Sequence, residues 1–270
     1  MIGVFDSGFG GLTILKKFLE KMPEYDYVFL ADNARAPYGS RSFATVYQYT
    51  LQAVKKLFSF GCPLVILACN TASAKALRTI QQQDLPKLNP QNRVLGIIRP
   101  TSEEISKYTK TKKVGVLGTL GTVASKSYIL EIKKLYPEIE VFQQSCPMLV
   151  PLVENAEIDN IAADYFVKKY TSQLFEQCSD IDTVILGCTH YPLLMKTFRK
   201  YIDEKITLIP QNEIVAESLK NYLSRHKDMD SRLEKNSCVK FFTTDDNNIF
   251  YQRAEFFLGK KIKSETLEIF

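Results

Sequence analysis

Short β-branched runs alternate along the chain with longer stretches in which apolar side chains recur every three to four positions. The runs at 2–6, 26–31, 63–68, 93–98, 113–118, 139–143, 182–187, 206–209 and 238–243 predict strands. Between them, 11–22 places Leu12, Leu15, Leu19 and Met22 on one helical face, and 41–59 does the same with Phe43, Val46, Val54 and Leu57. Further helices are predicted near 72–83, 101–109, 122–135, 157–177, 193–202, 211–225 and 248–258. Strands that alternate with helices form βα units, so the pattern implies an α/β fold with mostly parallel sheets and helices on both faces.

The pattern also repeats. Ile2-Gly3-Val4-Phe5-Asp6-Ser7 is echoed by Val114-Gly115-Val116-Leu117-Gly118-Thr119, 112 residues later. Leu64-Val65-Ile66-Leu67-Ala68-Cys69-Asn70-Thr71 is echoed by Thr183-Val184-Ile185-Leu186-Gly187-Cys188-Thr189-His190, 119 residues later. Order and phase are kept, as a duplicated α/β half would keep them. We therefore expect two pseudo-symmetric α/β domains, residues 1–98 plus 210–270 forming one and 99–209 the other, with Pro100 and Pro210 near the crossings. No low-complexity linker separates them, which predicts a tight interface with the site in the cleft between.

At 270 residues the chain has room for one large domain or two modest ones. With 45% hydrophobic and 24% charged residues it falls outside the disordered, collagen-like and coiled-coil classes. No apolar run approaches the ~18 residues of a membrane span, and the first residues carry no signal-peptide pattern, so a cytoplasmic protein without membrane association is expected. The net charge of +5 is spread along the chain, pointing to an anionic small molecule rather than nucleic acid. None of the six cysteines has CxxC spacing, so no metal site is expected and any thiol chemistry uses cysteines singly.

In open α/β sheets ligands bind beyond the carboxyl ends of the strands. The polar residues at those ends are Asp6-Ser7, Asp32-Asn33, Cys69-Asn70-Thr71, Thr119 and Cys188-Thr189-His190. Cys69 and Cys188 occupy the same position in the two halves, so halves that face each other oppose their thiols. Opposed thiols can remove a proton from one face of a carbon and deliver one to the other, which inverts a stereocentre. An ordinary thiol pKa of about 8.5 lets a modest shift leave one as thiolate and its partner protonated. Asp6 is the candidate to manage the proton of Cys69, His190 to act as polariser or donor beside Cys188, and Glu154 to support the Cys188 side. Cys62, Cys146, Cys178 and Cys238 read as small buried hydrophobes. Gly8-Phe9-Gly10-Gly11 fails the GxGxxG fingerprint because Thr13 stands where the third glycine belongs. On residue types alone, Arg35–Gly39 is a plain loop.

Four motifs, Gly3-Val4-Phe5-Asp6-Ser7-Gly8, Pro37-Tyr38-Gly39, Ala68-Cys69-Asn70-Thr71-Ala72-Ser73 and Leu186-Gly187-Cys188-Thr189-His190-Tyr191-Pro192, together resemble glutamate racemases of the cofactor-independent aspartate/glutamate racemase superfamily. The resemblance covers residues 2 to about 220, with the motifs in family order. It implies interconversion of L- and D-glutamate without a cofactor, the D form supplying peptidoglycan synthesis, by an enzyme that is often a homodimer. By matching motif it makes Cys69 and Cys188 the acid/base pair, assisted by Asp6, His190 and Glu154. Asp6, Ser7, Tyr38, Gly39, Asn70, Thr71, Thr189 and His190 become substrate contacts. The chain departs from the family pattern at Ile97-Ile98-Arg99-Pro100, where many members carry Glu before the proline, and activation through an N-terminal extension is not expected. The competing readings are an aspartate racemase on the same cysteines, a non-catalytic amino-acid-binding protein, and a thiol oxidoreductase, the last disfavoured by the missing CxxC.

Overall fold

The computed structural model describes residues 1–269. Its strands are β1 (Ile2–Asp6), β2 (Tyr27–Ala31), β3 (Leu64–Leu67), β4 (Arg93–Gly96), β5 (Lys113–Gly118), β6 (Glu140–Ser145), β7 (Thr183–Gly187), β8 (Thr207–Pro210), β9 (Val239–Thr243) and β10 (Glu265–Thr266). They form two sheets of parallel strands, in the order β10-β9-β2-β1-β3-β4 and β6-β5-β7-β8. Four neighbouring strands of the first sheet, β2-β1-β3-β4, repeat the order of the whole second sheet, β6-β5-β7-β8. The strands that carry the sequence echo, β1 with β5 and β3 with β7, thus occupy equivalent central places.

Central strands are apolar on both sides because both sides are covered. Along β2, Tyr27, Phe29 and Ala31 enter one core while Val28 and Leu30 enter another on the opposite face. The first of these cores runs on to Val184 and Leu186 of β7, so a single apolar mass joins the two sheets. The second sheet covers its other face with Val114, Val116, Tyr128, Ile132 and Ile185. After β8 the chain returns to the first sheet: the helix Gln211–Arg225 leads on to β9, which pairs with β2. No helix among the described residues is long and apolar enough to cross a membrane.

Several boundaries differ from the sequence pattern for local reasons. β4 ends at Gly96 because Ile97 and Ile98 turn into the helix Ile98–Glu104, whose first turn accommodates Pro100. The helix predicted from 72 begins at Asn70, two residues earlier, because the Cys69 sulfur caps its first turn by accepting from the Ala72 N–H. That helical run passes through a π turn at Ile80–Asp84 and continues to Leu88. The expected helix 157–177 starts at Ile161, where Asn160 caps it, and a separate helix, Leu149–Glu154, precedes it. That short helix contains Pro151, whose presence hid it from the periodicity.

Candidate active site

Four central strands end in loops that converge on one cavity of about 70 Å³. β1 runs into Asp6-Ser7 and a glycine-rich loop before the helix Leu12–Lys21, and β3 runs into Ala68-Cys69 and the helix Asn70–Lys75. From the second sheet, β5 leads to Thr119, which caps the helix Leu120–Ser125, and β7 leads to Cys188-Thr189-His190 and a 3₁₀ turn at Tyr191–Leu194. Ser7, Tyr38, Gly39, Cys69, Asn70 and Thr71 line the cavity from the first sheet's side. Glu154, Cys188, Thr189 and His190 line it from the second. Of the residues given a catalytic or substrate-binding role in the sequence, only Asp6 is not on the wall; it is buried behind it, and the strand-end pair Asp32-Asn33 does not line the cavity either.

The two thiols share the cavity in different electrostatic settings. Each is 6% exposed. Cys69 Sγ lies 3.3 Å from Ser7 Oγ and accepts from the Ala72 N–H at 3.4 Å. Burial pushes its pKa up to about 12, with the nearby Asp6 charge adding to the rise and the hydrogen bonds from Ser7 and Ala72 opposing it. Cys188 Sγ instead lies 3.6 Å from His190 Nδ1, while His190 Nε2 lies 3.0 Å from Glu154 Oε1. Burial alone would lower the His190 pKa, but its bonds to Cys188 and Glu154 outweigh that and raise it to about 10. The imidazolium is therefore set between sulfur and carboxylate, donating one N–H to each. Asp6 accepts from the Gly8 N–H at 2.9 Å, and burial raises its pKa to about 6 against the pull of His190 and of the Gly8 and Gly11 N–H groups.

Loops from the two sheets touch directly. Thr71 Oγ1 and Thr119 Oγ1 are 2.9 Å apart, and Thr13 Oγ1 donates to the Thr189 carbonyl at 3.1 Å. A Cβ on Gly10 would fall 2.3 Å from Thr189 Oγ1 and 2.5 Å from His190 Nδ1. Only a residue without a side chain lets the β1 loop lie against the turn that carries His190.

Pro147, Val150, Pro151 and Leu120 also line the cavity, and none of them is singled out by the sequence reading. Cys146 lines it as well, although its sequence reads as an ordinary buried hydrophobe. The signal for Cys146 and Pro147 lay in the repeat: β6 is the counterpart of β2, so the residues after it belong to the same ring of strand ends as Asp32. The Arg35–Gly39 segment, a plain loop by residue type, is anchored by its buried Tyr38. Tyr38 donates its hydroxyl to Asp32, and Asp32 also accepts from Arg35 Nε at 2.7 Å and Thr244 Oγ1 at 2.8 Å. Among the described residues no group of three or more His, Cys, Asp or Glu is placed to hold a metal ion.

A sequence model of the Asp/Glu/Hydantoin racemase family matches residues 11–219. The chain is 37% identical to a glutamate racemase from a Sulfurihydrogenibium species, across 99% of this chain and 97% of that one. Its structure is similar to that of a glutamate racemase isoform from Bacillus anthracis, with a TM-score of 0.90 and 36% identity over 99% of this chain and 97% of that one. It is also similar to the Francisella tularensis glutamate racemase crystallised with D-glutamate, with a TM-score of 0.88 and 32% identity over the same shares.

Proposed function

Because the chain belongs to the Asp/Glu/Hydantoin racemase family and is an amino-acid racemase, we propose that it interconverts L- and D-glutamate by two-base proton transfer between Cys69 and Cys188. The observation that carries this reading is the lining of one cavity by both strand-end thiols, each with its own proton partner. In one direction Cys188 sulfur, its negative charge balanced by the His190 imidazolium, takes the α-proton while the electron pair stays on the substrate. Cys69, held as a thiol, gives its proton to the opposite face, and the pair exchanges roles for the other enantiomer. Removing a proton next to a carboxylate concentrates charge, so preorganised donors in a closed cleft must stabilise it. Ser7, Asn70, Thr71 and Thr189 supply such donors from both sheets. The same reading assigns residues 1–98 with 210–270 to the Cys69 domain and 99–209 to the Cys188 domain. It also makes the protein a cytoplasmic homodimer that supplies D-glutamate for peptidoglycan.

Incubation with each glutamate enantiomer in deuterated water tests the proposal. The expected result is deuterium at the α-carbon together with loss of optical activity. Unlabelled glutamate recovered from an incubation in which aspartate exchanges would replace this substrate assignment by aspartate. Binding without any exchange would leave a binding protein.

The pH profile of kcat/KM should report two groups. Ionised Asp6 is needed to face His190, so activity should rise through pH about 6, and loss of the imidazolium proton should end it through pH about 10. The stability signs follow from the same shifts. Both folded-state values are raised, so each group's contribution is full below its ordinary value. It is lost as pH rises through about 6 for Asp6 and about 10 for His190. Glu154→Gln removes the carboxylate that supports the imidazolium, and should move the upper limb toward neutral pH. An upper limb unmoved in this variant would contradict the assigned role of Glu154.

A further inference from the structure

Asn70 follows Cys69 and lines the cavity, and its Nδ2 is buried without a hydrogen-bond partner among the described residues. Its Oδ1 accepts from the Tyr128 hydroxyl at 2.8 Å. Which end of the amide meets Tyr128 is dictated from a distance. Gln211 Nε2 lies 3.3 Å from the Ile97 carbonyl oxygen, 3.0 Å from Thr101 Oγ1 and 2.5 Å from the Tyr128 hydroxyl. A main-chain carbonyl can only accept, so the Gln211 atom that faces it is the amide nitrogen. Thr101 donates its own proton to the same carbonyl at 3.3 Å and can therefore accept from Gln211. The Gln211 N–H groups are thus directed at the Ile97–Thr101 pair and at Tyr128. Already accepting there, the Tyr128 oxygen turns its single proton toward Asn70, which must answer with Oδ1. Burial holds the phenol far above its ordinary pKa, so that proton stays in place.

We propose that Tyr128, oriented by Gln211, is a positioning residue that fixes the Asn70 amide so that its N–H groups, and not its carbonyl, are offered to an anionic group of the substrate. This rests on the glutamate reading above. An unrestrained amide can present either end, and its oxygen would repel a carboxylate. Flipping Asn70 would set its N–H groups against the Tyr128 proton, leaving a buried bond unmade. The chain of polarity starts at residues next to the two crossings between sheets, since Ile97 follows β4 and Gln211 follows β8. Neither Tyr128 nor Gln211 lines the cavity, so both act through Asn70.

A mutant cycle on steady-state racemisation tests this. Tyr128→Phe should raise KM for glutamate about tenfold, the scale of one hydrogen bond to a charged group, with kcat little changed. Gln211→Leu should raise KM in the same direction by less, and Asn70→Ala should raise it at least as far as Tyr128→Phe. The deciding measurement is the double variant: Tyr128→Phe added to Asn70→Ala should change KM no further. Equal fold-changes in the wild-type and Asn70→Ala backgrounds would overturn the proposal, as would an unchanged KM in the single variants. Should Tyr128→Phe fail to fold, Gln211→Leu in both backgrounds gives the same decision. A wild type that exchanges no α-deuterium in glutamate removes the functional reading and this proposal together, whereas an active wild type with multiplicative effects removes this proposal alone.

Discussion

Replacing either Cys69 or Cys188 with alanine should lower racemisation of both glutamate enantiomers by about 10³-fold or more, within the range that a positioned acid or base contributes. The two losses should be alike in size for the net reaction and unlike in mechanism. Inversion requires that one face lose a proton and the other gain one, so removing either sulfur stops the full cycle. The remaining thiol still faces the α-carbon from its own side. Each alanine variant, and more so each serine variant, should therefore retain slow α-deuterium exchange with only one enantiomer, and the two cysteine positions should select opposite enantiomers. Chiral chromatography with mass detection reads both quantities in one experiment. Wild-type racemisation by Cys69→Ala would remove the scheme. Cys69 is also the cap of the helix Asn70–Lys75, so its serine variant, which keeps an acceptor at the cap, is the cleaner comparison for stability.

Gly10→Ala should also be strongly damaging, although position 10 carries no reactive group. The added methyl would lie 2.3 Å from Thr189 Oγ1, 2.5 Å from His190 Nδ1 and 2.6 Å from His190 Cε1. Contacts that short are not tolerated, and His190 is held at the same time by Cys188 and Glu154. Either the β1 loop retreats, taking Ser7 away from Cys69, or the imidazole leaves Cys188. A misplacement of about 1 Å in such a site costs on the order of 100-fold in rate, which is the expected fall in kcat/KM. Overpacking of this kind also costs about 1–3 kcal/mol of stability, visible as a lower Tm. Gly118→Ala is the control: its new methyl would meet Thr122 and Val123 at 3.4–3.5 Å, an ordinary contact, and activity should stay close to the parent's. A Gly10→Ala enzyme with parental kcat/KM would show that the two loops do not constrain each other.

The lower and upper limbs of the pH profile belong to different sheets, because Asp6 ends β1 of the first and His190 lies in the turn after β7 of the second. Each carries a raised pKa for a different reason: for Asp6 burial outweighs the opposing pull of His190 and of the Gly8 and Gly11 N–H groups, whereas His190 has partners that outweigh its burial. The sequence pointed to both residues as strand-end groups. Their ionisation depended on burial and on the partners that folding brings to them, Glu154 to His190 and His190 to Asp6, and the sequence does not express those distances.

Legibility was uneven for physical reasons. Strands such as Leu64–Leu67 and Thr183–Gly187 could be read because burial on both faces demands an unbroken apolar run. The polar residues that stop those runs mark the strand ends, so Cys69, Cys188 and most of their companions were found without coordinates. The helix Leu149–Glu154 was not found, because it is one and a half turns long and contains a proline. Pro147, Val150 and Pro151 went with it. Tyr38 was reachable only through its motif, since what fixes it is Asp32, at the end of another strand.

The chain's own order of residues determined an α/β architecture, its internal duplication and a pair of equivalent thiols, since these follow from periodicity and from where apolar runs stop. Tertiary structure alone decided that the β1 and β7 loops interlock at Gly10, that Cys146 joins the cavity wall, and that Asn70 is held by Tyr128 rather than by its own helix. Those outcomes depend on contacts between segments far apart along the chain, such as Thr71 with Thr119 and Thr13 with Thr189. Local sequence sets the conformation of each loop but not its distance to the loop it meets, which only the packing of the two sheets around their shared core can fix.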